Sequence, residues 1–99
     1  MKIDEMVEQL LDMDMIKEDN SVKFSEDAKR LIHEIAEECK EFYEATKDRS
    51  EGYGDGLTAE QVYVDLLHKI VNAPTSLHMR MSARILIPII DLKLREEDS

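Results

Sequence analysis

The chain has 99 residues, of which 42% are hydrophobic, and its formal net charge is −10. This length provides for one domain with a modest core, and the hydrophobic fraction excludes an intrinsically disordered chain. The 23 acidic residues outnumber the 13 basic ones. That acidity opposes direct binding to the phosphate backbone of nucleic acids and favours a basic protein partner.

Cysteine content and hydropathy indicate where the protein resides. The chain has one cysteine, Cys39, and so forms no intramolecular disulfide, which suits a reducing compartment. The N-terminus is acidic and amphipathic, unlike the basic and then apolar pattern of a signal peptide. The longest apolar run, residues 85–90, is too short to cross a bilayer. We therefore expect a cytoplasmic protein that does not enter the membrane.

The first predicted helix covers residues 3–16, because its apolar residues follow the i, i+3, i+4 spacing of one helix face. These residues are Ile3, Met6, Val7, Leu10 and Leu11. Asp19 and Asn20 predict a turn after this helix. A short extended piece is then expected at residues 21–24.

The second predicted helix, residues 25–49, is the long central element. Ser25 is suited to cap it, and an apolar stripe recurs about every 3.5 residues along it. The stripe consists of Ala28, Ile32, Ile35, Cys39, Phe42 and Thr46. The opposite face is acidic and carries Glu34, Glu37, Glu38, Glu41 and Glu44. This pattern predicts one helix with a buried seam and a charged outer face.

Two further helices follow a loop at residues 50–57. Thr58 and Gln61 form a T-x-x-Q capping box, which predicts a third helix ending near Val71. Thr75 can cap a fourth helix, in which Pro88 predicts a kink. The apolar spacing of this helix is continued by Leu77, Met81, Ile85 and Leu92.

Residues 89–95 also alternate between polar and apolar, so a strand is an alternative to the kinked helix, which we prefer. The predicted fold is all-α, with one domain of about four helices over residues 1–99.

Carboxylates on the second and third predicted helices suggest an enzymatic alternative. Glu37, Glu38 and Glu41 form an E-E-x-x-E motif, and Asp65 follows on the next helix. In these residues the chain resembles the all-α nucleotide pyrophosphohydrolases of the MazG and phosphoribosyl-ATP pyrophosphatase type. The resemblance implies that the four carboxylates hold Mg²⁺ against the phosphates of a substrate. Val62 stands where that family has a glutamate, and helical periodicity points Glu37 and Glu41 away from the apolar stripe.

Two other resemblances imply a transcription-associated module. Residues 13–35 resemble the latter half of a winged-helix domain, with a helix end, a turn, a short strand and another helix. The short–long–short order of the first three helices resembles a histone fold, and residues 57–62 are similar to the segment that enters its last helix. An acidic histone-like module is expected to pair with protein rather than DNA.

The C-terminal segment carries the leading prediction. Residues 85–90 place apolar side chains all round a helix, and such a helix must be buried on most sides. A chain of this length has little material to cover it, so we expect a self-association surface. Its predicted contacts are Met79, Ile85, Leu86, Ile87, Ile89 and Ile90. The leading interpretation is a small, acidic, non-catalytic interaction or regulatory module that needs no cofactor and forms a homodimer through its C-terminal helix.

Overall fold

The computed structural model describes residues 2–13, 22–39 and 56–98, and 82% of these residues are helical. They form four helices in chain order, α1 (Lys2–Asp12), α2 (Glu26–Glu38), α3 (Ala59–Val71) and α4 (Ser76–Asp98). These ranges contain no strand. The predicted all-α fold class is thereby confirmed.

Helix α1 ends earlier than the sequence pattern suggests. It covers Lys2–Asp12, and the backbone N–H of Met13 closes its last turn on the carbonyl of Leu10 at 3.2 Å. The end of the predicted helix, residues 14–16, and the predicted turn at residues 19–20 lie outside the described residues.

Helix α2 begins at the predicted cap. The Ser25 hydroxyl oxygen accepts a hydrogen bond from the backbone N–H of Ala28 at 3.1 Å. This bond satisfies one of the donors that the first turn of a helix leaves unpaired. The helix ends at Glu38, and the backbone N–H of Cys39 bonds to the carbonyl of Ile35 at 3.0 Å. The predicted continuation to residue 49 lies outside the described residues.

Helix α3 has the predicted capping box at its start. The backbone N–H of Gln61 donates to the Thr58 hydroxyl at 3.2 Å, and the backbone N–H of Thr58 donates to the Gln61 side chain at 2.8 Å. Both contacts lie within three residues in the sequence, which is why the motif predicts them. The helix ends at Val71, as expected.

Helix α4 is the longest helix in the described part of the chain, with 23 residues. The Thr75 hydroxyl accepts from the backbone N–H of His78 at 3.2 Å and so caps its start, as predicted. Residues 89–95 are helical, which makes the strand alternative wrong. Pro88 lies inside the helix, where it removes one backbone hydrogen bond.

The core forms where α4 packs against α3 and α2, while α1 packs mainly against α2. Residues 86–91 of α4 are buried without interruption, as expected for a helix that is apolar on all sides. Before α2, Val22 and Phe24 are also buried in this core. The Phe24 ring meets the Tyr63 ring edge to face, with centroids 5.3 Å apart. Burial raises the pKa of the Tyr63 hydroxyl to about 12.

Candidate functional site

The predicted contact residues lie in two different environments. Leu86, Ile87, Ile89 and Ile90 are buried within the single chain. Met79 and Ile85 are half-buried. The premise that one chain cannot cover this segment is therefore wrong, because α2 and α3 pack against α4 and these four side chains belong to the core. Four of the six predicted residues are thus not on the surface of the single chain.

Exposed apolar side chains lie on another face of α4. Leu77 is 56% exposed, Met81 is 50% exposed and Leu92 is 37% exposed. Ile85 is half-buried and lies between them along the helix. At about 100° of rotation per residue, these four positions fall within about 80° of one another around the helix axis. We call Leu77, Met81, Ile85 and Leu92 the α4 stripe.

The sequence contains the spacing of the α4 stripe but does not show which face is buried. Positions 83, 87, 90 and 94 form a second apolar face, about half a turn away from the stripe. That second face packs into the core, and the stripe is left more exposed. Both faces carry apolar residues at helical spacing, so periodicity alone could not separate them.

Charge is distributed unevenly along α4. Residues 76–90 contain two arginines and no acidic residue, whereas residues 91–98 contain four acidic and two basic residues. The helix therefore has a formal charge of +2 over its first part and −2 over its last part. The positive end of the helix dipole lies at the N-terminus of α4 and adds to the positive charge of its first part.

The first part of α4 is held against α1 by ion pairs. Arg80 Nη1 donates to Asp4 Oδ2 at 2.9 Å, and Arg84 Nη2 lies 3.7 Å from Asp4 Oδ1. The hydrogen bond from Arg80, aided by the charges of both arginines, holds the pKa of the Asp4 carboxyl below its usual value. These contacts join the first part of α4 to α1.

The last part of α4 is tied to α2 by a polar network. Arg95 Nε lies 3.2 Å from Asp91 Oδ2, and Arg95 Nη2 lies 2.6 Å from His33 Nδ1. Asp91 is buried, and its Oδ1 lies 3.4 Å from the same His33 nitrogen. Glu37 Oε1 is 3.8 Å from Arg95 Nη2. The sequence predicted neither Asp91 nor Arg95, because their partner His33 is about 60 residues away in the chain.

The carboxylates of the magnesium alternative lie on separate helices. Glu37 and Glu38 are exposed on α2, and Asp65 on α3 accepts a hydrogen bond from Lys69 Nζ at 2.8 Å. Glu41 lies outside the described residues. Among the residues that are described, no three His, Cys, Asp or Glu side chains form a group that could hold a metal ion. Magnesium binding by all four carboxylates stays a prediction.

Comparisons with protein-family models, curated proteins and solved structures give no match to this chain. Within the described ranges, none of the helices combines the length and the apolarity needed to cross a bilayer.

Proposed function

We propose that this protein is a small, non-catalytic interaction module that forms a homodimer through the α4 stripe. The observation that carries the proposal is the exposure of Leu77, Met81 and Leu92 on one face of the longest described helix. Large apolar side chains gathered on one face mark contact sites more often than single scattered ones do. Burial of this face against a second α4 would remove apolar surface from water and so favour association.

The spacing of the α4 stripe suits a second copy of the same helix. In an antiparallel pair with its two-fold axis between positions 84 and 85, Leu77 of one copy lies opposite Leu92 of the other. Ile85 then lies close to the Ile85 of the partner copy. A two-fold interface needs such a self-complementary pattern, because the same surface patch contributes from both sides.

The charges of α4 also favour the antiparallel arrangement. It brings the acidic last part of one helix to the N-terminal end of the other, where Arg80 and the positive end of the dipole lie. A parallel pair would instead place the four acidic residues of each C-terminal part beside those of the other. Charge therefore supports the antiparallel pair and opposes the parallel one.

The test is the solution mass of a variant that carries a charge in the α4 stripe. Met81→Glu should shift the protein to the monomer, because dimerisation would then bury a carboxylate without a partner. Gln9→Glu is the matched control, since it adds the same charge at an exposed position on α1. Light scattering after gel filtration should give a lower mass for Met81→Glu and an unchanged mass for Gln9→Glu. Equal masses for wild type and Met81→Glu, with helicity intact, would contradict the proposal.

The same proposal places the protein in the cytoplasm, with a basic protein as its further partner. The Cys39 side chain is completely buried, and the chain has no second cysteine with which it could form an intramolecular disulfide, which suits a reducing compartment. Glu34, Glu37 and Glu38 lie exposed on α2 and supply an acidic face on a chain of net charge −10. A basic partner would be attracted to such a face through long-range electrostatics.

A further inference from the structure

Met81 is the most exposed of the methionines that the structure describes. It belongs to the α4 stripe and is 50% exposed, whereas Met6 is buried and Met13 and Met79 are half-buried. A thioether sulfur is oxidised only when an oxidant reaches it, so burial protects the other three more. Exposure therefore predicts that Met81 reacts with an oxidant in solution before these three do.

The reaction of an exposed thioether with hydrogen peroxide changes its polarity. One oxygen atom of the peroxide is transferred to the Met81 sulfur, which is oxidised by two electrons, and the peroxide is reduced to water. The product, methionine sulfoxide, carries a hydrogen-bond acceptor where the side chain was apolar. Reductases specific for methionine sulfoxide reverse the change, so the modification is reversible.

The α4 stripe offers a sulfoxide at Met81 no hydrogen-bond donor. None of the other three side chains of the stripe contains an N–H or O–H group. Arg80 and Arg84, the charged donors in the first part of α4, already contact Asp4. Water solvates the sulfoxide oxygen in the single chain, but a second stripe that covers it would remove this water without replacing its hydrogen bonds.

We propose that Met81 is a reversible oxidation site through which peroxide controls formation of the homodimer. The inference rests on the homodimer proposed above, in which both chains contribute the α4 stripe, so each dimer buries two copies of Met81. One buried acceptor without a partner weakens association roughly tenfold, and oxidation of both copies should weaken it about a hundredfold. Dimer formation in turn covers the Met81 sulfur and should protect it from peroxide.

The test combines peroxide oxidation of the full wild-type chain with sedimentation equilibrium. Peptide mass spectrometry should find an added oxygen at Met81 before any at Met6. The rate of Met81 oxidation should fall as the chain concentration rises, because a larger fraction of the chain is then dimeric. The chain oxidised at Met81 should dimerise about a hundredfold more weakly than the untreated chain. Methionine sulfoxide reductases should restore the dissociation constant of the untreated chain.

Met81→Leu is the variant that isolates the role of the sulfur. Leucine keeps the hydrophobicity and approximate volume of methionine, so this variant should dimerise as the wild type does. It should also stay dimeric after peroxide treatment. Met79→Leu is the matched control, since it removes a half-buried methionine outside the α4 stripe and should leave the response to peroxide unchanged.

Two results would overturn the inference while the dimer itself stands. One is an unchanged dissociation constant for the chain oxidised at Met81, and the other is equal dissociation of wild type and Met81→Leu by peroxide. A wild-type chain that is monomeric before peroxide treatment would instead contradict the dimer, and with it this role of Met81.

Discussion

At the scale of single residues, Asp4 is the clearest case of a charge that positions a helix. Its side chain is only 17% exposed and lies between α1 and α4, where it contacts both Arg80 and Arg84. Removing a carboxylate from water is costly unless hydrogen bonds and opposite charges compensate for it. The ionised form is therefore the one that the folded state stabilises.

This contact predicts how stability depends on pH. The folded protein holds the pKa of Asp4 below its ordinary value of 3.8, so the contact stabilises the fold above that pH. The contribution of the contact to the free energy of unfolding should disappear as pH falls through the lowered pKa, because the Asp4 carboxyl is then protonated in both the folded and the unfolded protein. Urea denaturation should show Asp4→Asn less stable than wild type near neutral pH. The difference should narrow on acidification, and a difference that is constant with pH would contradict this role.

Residue-level contacts could be predicted from the sequence only where they are local. Ser25 and the pair Thr58 and Gln61 contact backbone groups three residues away, so a short motif is enough to identify them. The pair of Asp4 and Arg80 spans 76 residues. No spacing rule identifies such a pair, because tertiary packing alone brings its two members together.

At the scale of elements, the start of α3 is joined to the end of α4. Glu97 Oε1 accepts a hydrogen bond from the backbone N–H of Ala59 at 2.9 Å. Ala59 is the first residue of α3, where a negative charge also interacts favourably with the helix dipole. One carboxylate thus caps α3 and anchors the C-terminal end of α4.

Loss of this cap should lower stability by a measurable amount. Glu97→Ala should reduce the free energy of unfolding by about 1 kcal/mol, the usual cost of losing a helix cap. Glu8→Ala removes an equal charge at an exposed position on α1 and should change it by less than about 0.5 kcal/mol. Chemical denaturation of both variants measures the two effects. Equal losses would show that the charge matters and the hydrogen bond does not.

The two apolar faces of α4 explain why only one of the six predicted contact residues belongs to the α4 stripe. The sequence pattern placed contacts at Leu86, Ile87, Ile89 and Ile90, but the fold uses these side chains for the core. The spacing of apolar residues predicts that they share one face of a helix, but it does not predict which neighbouring element packs against that face. Ile85 is the one predicted contact that belongs to the α4 stripe.

The antiparallel register of the proposed dimer gives a sharp prediction. Ile85→Cys should form an intermolecular disulfide under mild oxidation, because the two copies of position 85 meet at the two-fold axis. Leu77→Cys should not, since its two copies lie about 22 Å apart along the helix axes. Non-reducing gel electrophoresis separates the disulfide-linked dimer from the single chain and so measures cross-linking in each variant. Efficient cross-linking of Leu77→Cys would indicate a parallel pair instead.

At the scale of the whole molecule, the fold class followed from the sequence because apolar residues recur at helical spacing in each of the four helices that the structure describes. The packing of α2 and α3 on α4 was not predictable in the same way. It depends on long-range contacts such as that between Phe24, which lies just before α2, and Tyr63 on α3, two residues that are far apart in the chain.

Net charge acts on the proposed dimer as a whole. Two chains that each carry −10 repel one another, and salt screens that repulsion without weakening the apolar contact of the α4 stripe. Self-association should therefore strengthen as salt rises. If the interface were made mainly of ion pairs, self-association would weaken as salt rises, because salt screens the attraction between opposite charges.

Dimer formation through the α4 stripe is tested most directly by sedimentation equilibrium of the wild-type chain over a range of concentrations at moderate salt. We expect a mass that rises with concentration to twice the 11.5 kDa of one chain. Met81→Glu should remain near the mass of one chain under the same conditions. A wild-type mass of 11.5 kDa at every concentration, with the helical circular dichroism signal intact, would show that the chain does not form the proposed dimer.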